Sequence, residues 1–241
     1  MTATSWALDE LTWPDIRDAI DRDPRLILPV GALEQHGPHL PLGTNSHIAV
    51  HVARALSERV GILRAPCFSY GAIGDRGPYA GAVGLRRKTL HRAINELLGL
   101  WEDHGIAEFL IISAHRYEPH LEALLMALTS TAVSAVYDLY RVDVSDLLDG
   151  DPGVEHAGEL ETSLMLHLAP HLVHTDRIAD FRPTDQALRR YTRRRAPTPP
   201  LESGGTLGAP SRGEANKGAA IFQRYVSALS AAMERPPTSP D

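Results

Sequence analysis

The chain has 241 residues, of which 43% are hydrophobic and 22% are charged, and its net charge is −6 at pH 7. This length and composition fit one large α/β domain with a sizeable buried core. The acidic balance argues against a nucleic-acid partner, because binding to phosphates requires a basic face.

The cysteine content and the distribution of apolar residues indicate the compartment. The single cysteine, Cys67, excludes an intramolecular disulfide and fits a reducing environment. No cationic and apolar leader opens the sequence, and no apolar run approaches the ~20 residues of a membrane span. We therefore expect a cytoplasmic protein that does not bind a membrane.

Hydrophobic periodicity predicts strands and helices that alternate along the chain. Thr12, followed by Pro14, begins a helix with Trp13, Ile16 and Ile20 on its apolar face. Buried strands are predicted over residues 26–30, 61–68, 107–113 and 131–140, and further helices over 44–60, 88–104 and 219–233. Strands joined by helices give a mainly parallel sheet covered on both faces. We expect one domain over residues 1–235 and a disordered tail over 236–241.

The loop after the first strand is rich in glycine and proline and carries polar side chains that can bind a metal ion. Glu34 and His36 are two residues apart, so in an extended segment both side chains point to the same side. His115 follows the third predicted strand, and His156 follows the fourth. Because ligands of parallel sheets bind at the carboxyl ends of the strands, we expect these side chains to converge on one site.

The segment from Glu34 to Asn45 resembles the first motif of the creatininase family of metal-dependent amidohydrolases, E-x-H-G-x-H-L-P-x-x-T-D. The matching residues are Glu34, His36, Gly37, His39, Leu40, Pro41 and Thr44. Asn45 stands where the family has an aspartate that bridges two divalent ions. A neutral amide coordinates more weakly and rarely bridges. The resemblance therefore implies one zinc, manganese or iron ion per chain.

A second similarity lies after the third strand, where relatives have N-G-H-G-G-N or N-G-H-x-E-N. His115 aligns with the metal-binding histidine, while Arg116 and Tyr117 depart and would fill space that relatives leave for substrate. An alternative register uses His120 and Glu122, which lie within the next helical pattern. We favour His115, because it stands at the end of a strand.

The glycine-rich loop over residues 70–85 resembles a family loop in its glycine positions but not in its chemistry. Asp75 and Arg76 stand where relatives have Glu-His, and Tyr79 replaces a phenylalanine. The loop is either a surface connection or a lid or subunit contact that places Tyr79 over a pocket.

The third family motif, H-A-G-x-x-E-T-S, matches at His156, Ala157, Gly158, Glu161, Thr162 and Ser163. The resemblance implies that His156 is a proton shuttle, that Glu155 borders the substrate pocket and that Glu161 serves the metal. Glu159 and Glu161 also suit the first turns of a helix, where the macrodipole favours carboxylates. Which of Glu118, Glu122, Glu159 and Glu161 binds the metal is left open.

Two further segments are rich in basic residues or glycine. The arginines at positions 189, 190, 193, 194 and 195 form either a solvated linker or an anion site. Residues 203–218 resemble the closing family motif, with matches at Gly208, Pro210, Ala215, Lys217 and Gly218.

The resemblance implies a creatininase-like three-layer αβα sandwich that assembles as a homo-oligomer, a hexamer in relatives. The assigned metal ligands are Glu34, His36, Asn45, His115 and Glu161, the catalytic residues are His156, Glu155 and Arg116, and the substrate-binding residues are His39, Tyr79 and Tyr117. Arg116 indicates an anionic group on a small-molecule substrate, or else a salt bridge to Glu118 or Asp75.

Three functions agree with these residues. The first is hydrolysis of a cyclic amide, a formamide or a peptide-like C–N bond. The second is a biosynthetic condensation, cyclisation or rearrangement on the same scaffold, since one presumed pocket is lined by five departures from the family pattern, Asn45, Asp75, Arg76, Arg116 and Tyr117. The third is a non-catalytic subunit. The retained side chains of Glu34, His36, His115 and His156 argue against it.

Overall fold

The computed structural model describes residues 5–74, 78–127, 131–150, 155–182, 184 and 199–234. Its sheet contains four parallel strands in the order β2-β1-β3-β4. The strands are β1 (Arg25–Val30), β2 (Leu63–Arg64), β3 (Glu108–Ser113) and β4 (Val133–Asp138). Every residue of β1 and β3 is buried, so these two strands form the centre of the molecule.

Helices cover both faces of this sheet. The helices are α1 (Trp13–Arg22), α2 (Thr44–Val60), α3 (Arg87–Asp103), α4 (Glu118–Leu125), α5 (Glu159–Leu168) and α6 (Ala215–Met233). Helices α2, α5 and α6 pack with Ile27 and Leu110 on one face, and α1, α3 and α4 pack with Leu26 and Phe109 on the other. Successive strand residues thus enter opposite cores, and the predicted three-layer αβα architecture is confirmed.

The second strand is shorter than the predicted range of 61–68. Only Leu63–Arg64 pairs with β1 in the regular ladder, because Pro29 of β1, whose carbonyl faces this edge, has no amide hydrogen to donate. Pairing resumes with a hydrogen bond from Phe68 N to Pro29 O of 3.0 Å. The segment therefore still follows β1 to the point where the site loop begins.

The fourth strand lies at the edge of the sheet and is not buried as predicted. Val133 is exposed, and the other residues of β4 are half-buried. Trp13 was expected on the apolar face of α1, but 79% of its surface is exposed, and Ile20 with Ala19 forms the buried contact. Periodicity indicates which residues of a helix share a face, but it does not indicate how much of that face the adjacent elements cover.

The last helix begins at Ala215, four positions before the predicted start at Ala219. Gly218, which was assigned to a loop motif, therefore lies inside α6. A Cβ atom at this position would meet Ser163 O of α5 at 1.9 Å, so the missing side chain permits close packing of the two helices.

Some predictions fall outside the described residues: those for Asp75 and Arg76, for the arginines at 189–195 and for the tail at 236–241. Among the helices of the described segments, none combines the length and the hydropathy needed to cross a membrane.

Candidate metal centre

Three segments at the carboxyl ends of strands meet at one point of the molecule. The segment after β1 carries Glu34 and His36, the segment after β3 carries His115, and the segment between β4 and α5 carries His156. The rings of His36 and His156 lie 4.6 Å apart, and His115 Nδ1 lies 3.3 Å from Glu34 Oε2. The structure thus brings together the side chains that were expected to converge.

Glu34, His36 and His156 form a group whose ligand atoms all lie within 4.8 Å of one another. Within the described residues, these three are the His, Cys, Asp or Glu side chains that lie close enough together to share a metal ion. His36 is buried, whereas Glu34 and His156 are half-buried. His156, assigned as a proton shuttle, therefore lies close enough to be a ligand as well.

Hydrogen bonds orient His36 toward the centre of the group. Its Nδ1 donates to Glu34 O at 3.0 Å, which directs Nε2 toward Asn45 Oδ1 at 3.1 Å and Glu161 Oε1 at 3.7 Å. Burial lowers the pKa of His36, but the nearby Glu161 carboxylate, with a contribution from Glu34, raises it to about 9. The negative charge of these carboxylates therefore favours a cation at His36, which can be either a proton or a metal ion.

His115 is oriented by the backbone of the glycine-rich loop. Its Nε2 lies 2.9 Å from Ala72 O, and a carbonyl oxygen only accepts, so Nε2 carries the proton and Nδ1 presents its lone pair to the site. The alternative residue, His120, is fully buried in α4 and its Nδ1 accepts from Ala72 N at 3.2 Å. Glu122 faces Arg87 at 3.7 Å on the surface. The structure therefore places His115, and not the His120 and Glu122 pair, beside Glu34.

Asn45 lies between the two halves of the group. Its Nδ2 is 3.1 Å from His115 Nδ1 and 3.4 Å from Glu34 Oε2, while its Oδ1 faces His36. Because His115 Nδ1 and the carboxylate only accept, the amide nitrogen donates to them and the amide oxygen accepts from protonated His36. The amide joins both halves by hydrogen bonds, at the position where the resemblance implies a bridging carboxylate.

Glu161 is held as a carboxylate by donors on both of its oxygens. The Tyr140 hydroxyl donates to Oε1, and Ala157 N donates to Oε2 at 2.6 Å. Burial raises the pKa of Glu161, but the charge of His36 and the hydrogen bond between them outweigh it and hold the pKa well below its usual range. Ala157 has φ 52°, an uncommon conformation for a residue with a side chain, and it directs this amide at Glu161.

The neighbouring glutamates have other partners. Glu159 is buried and accepts from Lys217 Nζ at 2.6 Å and from Gly150 N at 2.7 Å, away from the histidines. Glu155 accepts from Leu160 N at 2.6 Å, and burial together with the nearby Glu161 raises its pKa to about 8. Of the glutamates of this segment, Glu161 is therefore the one that faces His36.

The residues assigned to substrate binding occupy different environments. His39 is fully buried with Nε2 3.1 Å from Thr162 Oγ1, and burial together with the charge of His36 lowers its pKa to about 4. The ring of Tyr117 lies 6.1 Å from that of His115. Tyr79 is half-buried, and its hydroxyl has no hydrogen-bond partner among the described residues.

The sequence did not identify several groups that complete the site. Tyr140 follows β4, so the rule about the carboxyl ends of strands could have found it. Arg116 lies 4.7 Å above the Tyr140 ring, which links the assigned catalytic arginine to Glu161 through this tyrosine. Gln35 places its backbone oxygen 2.9 Å from His156 Nε2. The carbonyl oxygen of Ala72 has no side-chain signal, so the sequence could not have found it.

Comparison with known proteins identifies the group to which this chain is related. A family model described as creatinine amidohydrolase matches residues 9–233. A mycofactocin precursor peptide peptidase of Mycobacterium ulcerans (strain Agy99) is 30% identical over 100% of this chain and 92% of its own length. The creatinine amidohydrolase of Pseudomonas putida is 30% identical over 95% of this chain and 97% of its own length.

Solved structures agree with these relatives. A creatininase variant described as the Zn-Zn type superposes with a TM-score of 0.80 at 26% identity, covering 96% of this chain and 98% of that one. A structure described as creatininase Mn superposes with a TM-score of 0.79 at 26% identity, covering 95% and 98%. With a family model that spans nearly the whole chain, the expected resemblance is confirmed: this protein belongs to the creatininase family.

Proposed function

We propose that this protein is a metal-dependent amidohydrolase that cleaves a C–N bond of a small molecule, in a cyclic amide, a formamide or a peptide-like group. The observation that carries the proposal is the convergence of oriented ring nitrogens and carboxylates at the ends of β1, β3 and β4. The names of its relatives, a creatinine amidohydrolase and a peptide peptidase, support the same reaction class.

The donor set fits a divalent zinc, manganese or iron ion. Nε2 of His36 and Nδ1 of His115 point into the site, because the other nitrogen of each ring donates a hydrogen bond to a backbone carbonyl. Glu34 and Glu161 supply the carboxylates, and the negative charge with which they raise the pKa of His36 also favours a metal cation. A bound ion would polarise the amide carbonyl and activate water for attack.

The protein's own groups supply orientation and proton transfer. Tyr140 and Ala157 fix the carboxylate of Glu161 by donating to separate oxygens. His156 is the candidate donor of a proton to the leaving nitrogen, since its ring lies beside His36 and its Nε2 lies 2.9 Å from both the backbone oxygen and the side-chain amide nitrogen of Gln35. Burial and the charge of His36 lower the pKa of His156, which favours its release of a proton near neutral pH.

Asn45 supports one ion per chain rather than two. Its amide nitrogen donates toward Glu34 and His115, so the face of Asn45 on that side carries partial positive charge. A cation there would face these N–H groups instead of an oxygen ligand. The half of the site at His36 and Glu161 meets the amide oxygen, which can coordinate.

A second candidate function is a biosynthetic condensation, cyclisation or rearrangement on the same scaffold. It is favoured by one observation: of the residues that depart from the family motifs, Asn45 and Tyr117 lie beside His115, and Arg116 lies over the ring of Tyr140, whose hydroxyl donates to Glu161. Incubating an amine with a carboxylic acid and, separately, their amide would distinguish synthesis from hydrolysis.

Metal content per chain tests the proposed function. Elemental mass spectrometry of protein purified without chelator should give about one zinc, manganese or iron ion, and this preparation should hydrolyse members of a panel of cyclic amides, formamides and short peptides. The variant His36→Ala should lose the ion, whereas His51→Ala, on α2 outside the group, should retain it. A metal content near zero after incubation with excess metal would overturn the proposal. Light scattering on the same sample tests the homo-oligomer that the resemblance implies.

A further inference from the structure

We propose that a cavity beside the metal centre binds a carboxylate of the substrate, so that the amide to be cleaved belongs to an acid-bearing molecule such as an N-acyl amino acid or the C-terminal residue of a peptide. That the acid-bearing molecule is cleaved as a substrate rests on the proposed function. That the cavity binds a carboxylate is independent of the proposed function.

The cavity has a volume of about 350 Å³ and lies where the segment after β4 meets α5 and α6. The residues that matter for its chemistry are Arg116, Tyr140, Arg141, Asp143, Leu160 and Tyr225. This volume is at the lower end of the range of ligand pockets, about 300 to 1,000 Å³, and suits one small substituent rather than a large ligand.

Tyr140 connects the cavity to the metal centre. Its ring lines the cavity beneath the guanidinium of Arg116, and its hydroxyl donates to Glu161, which faces His36. Leu160, which lines the same cavity, is the residue adjacent to Glu161. Tyr140 and Leu160 therefore place the cavity next to the metal centre, and a molecule whose amide lies at the centre has to extend a neighbouring group past them to reach it.

The charge of the cavity favours an anion. Arg116 and Arg141 both line it, and Arg116 lies over the Tyr140 ring and acts on the nearby Glu155 carboxyl. Asp143 also lines the cavity, but its carboxylate accepts from Ser145 N at 3.0 Å and lies in the field of Arg224. Among the residues that line the cavity, two guanidinium groups thus face one carboxylate, that of Asp143, which already has a donor. A guanidinium forms paired hydrogen bonds with a carboxylate, which makes this the expected ligand.

An unpartnered hydroxyl supplies a second, independent observation. Tyr225 of α6 is fully buried and lines the cavity, and its hydroxyl has no hydrogen-bond partner among the described residues. Arg116 and Tyr225 line the same cavity, and the Arg116 charge acts on this hydroxyl together with the opposing carboxyls of Glu161, Asp138 and Glu155. Leaving such a group unpaired is costly, so a ligand oxygen that accepts from Tyr225 and Arg116 would satisfy both donors.

The test uses the full metal-loaded chain and a matched pair of probes, hippurate and hippuramide, which differ in a carboxylate and a carboxamide. Isothermal titration calorimetry measures Kd, and the ¹⁵N resonance of Arg116 Nε, assigned with Arg116→Lys, reports the site. We expect hippurate to bind and shift this resonance, and hippuramide to bind at least 10-fold more weakly. Since a charged hydrogen bond contributes about 1.5 to 3 kcal/mol, Arg116→Ala should weaken hippurate binding about 10- to 100-fold.

Two further variants separate this site from others. Tyr225→Phe removes only the hydroxyl that has no partner, so it should fold with unchanged or higher Tm and still bind hippurate several-fold more weakly. Arg92→Ala removes an exposed arginine of α3 and should leave Kd unchanged.

Three results would overturn the inference: no binding of hippurate with no shift of the Arg116 resonance, equal binding of the two probes, or an affinity unchanged in both Arg116→Ala and Tyr225→Phe. The last result would place the carboxylate on the metal itself. Failure of the proposed function gives a different pattern, in which the chain holds no metal and hydrolyses no amide but still binds hippurate at Arg116.

Discussion

The substitution Asn45→Asp tests the reasoning about the number of metal ions most directly. It replaces the amide nitrogen, which donates to Glu34 and His115, by a charged oxygen in the same place. At the 3.4 Å that separates Asn45 Nδ2 from Glu34 Oε2, two carboxylates repel by about 5 kcal/mol at an effective dielectric constant of about 20. Protonation limits this penalty, because protonating an aspartate of reference pKa about 3.9 at pH 7 costs about 4 kcal/mol.

Attraction between the new carboxylate and protonated His36, whose Nε2 lies 3.1 Å from Asn45 Oδ1, offsets part of this penalty. We therefore expect the free energy of unfolding of the chelator-treated variant to be lower than that of the wild-type protein, by no more than about 4 kcal/mol. A cation between the carboxylates removes the repulsion, so added zinc or manganese should raise the Tm of the variant more than that of the wild type. Elemental mass spectrometry should show an increase from about one ion per chain toward two.

The control for this experiment is Asn216→Asp, which adds the same charge at an exposed position of α6 and should change neither metal content nor metal-dependent stability. A metal content equal to that of the wild type, in a folded Asn45→Asp variant, would refute the inference that the amide excludes a second ion.

Other substitutions test the roles of single groups. We expect His156→Ala to lower kcat by about 10²- to 10⁴-fold at unchanged metal content, and loss of the ion would instead make His156 a ligand. Gly218→Ala should lower the free energy of unfolding by about 1 to 3 kcal/mol through overpacking against α5. At Gly99 of α3 an added Cβ would meet nothing within 4 Å, so Gly99→Ala should raise the free energy of unfolding by about 0.5 to 1 kcal/mol. Urea titration measures the stability of both glycine variants, and equal effects would contradict the packing argument. Lys217→Met removes the cation beside buried Glu159 and should lower the free energy of unfolding by about 1.5 to 3 kcal/mol in the same assay. An unchanged stability would mean that the backbone donors of Glu159 are sufficient to stabilise its carboxylate.

The sequence predicted the order of the elements because burial imposes periodicity on every strand and helix of a layered fold. It could not predict how far each strand pairs. The shortening of β2 follows from Pro29 of β1, whose missing amide hydrogen is visible in the sequence, but the edge position of β4 depends on which strands lie side by side. That arrangement is a property of the whole chain and leaves no local pattern.

The candidate site shows the same division. Glu34, His36, His115 and His156 were found because the ends of parallel strands meet at one edge of the sheet. The choice between Glu159 and Glu161 was left open, although residues two apart on a helix point about 200° apart and cannot share one face. Lys217, distant in sequence, decides which of the two points away from the histidines. Such choices require the packing of α6 on α5.

The charges at the metal centre give an argument for one ion that is independent of Asn45 geometry. Glu34 and Glu161 bring two negative charges, while Glu155, whose pKa is raised to about 8 by burial and by Glu161, is largely protonated at neutral pH. One divalent ion neutralises two carboxylates, whereas two ions would leave an excess of positive charge among buried side chains, which is costly. An aspartate at position 45 would supply part of the missing negative charge, and the asparagine does not. Charge balance and hydrogen bonding therefore favour the same one-ion centre, and both are changed by a single substitution.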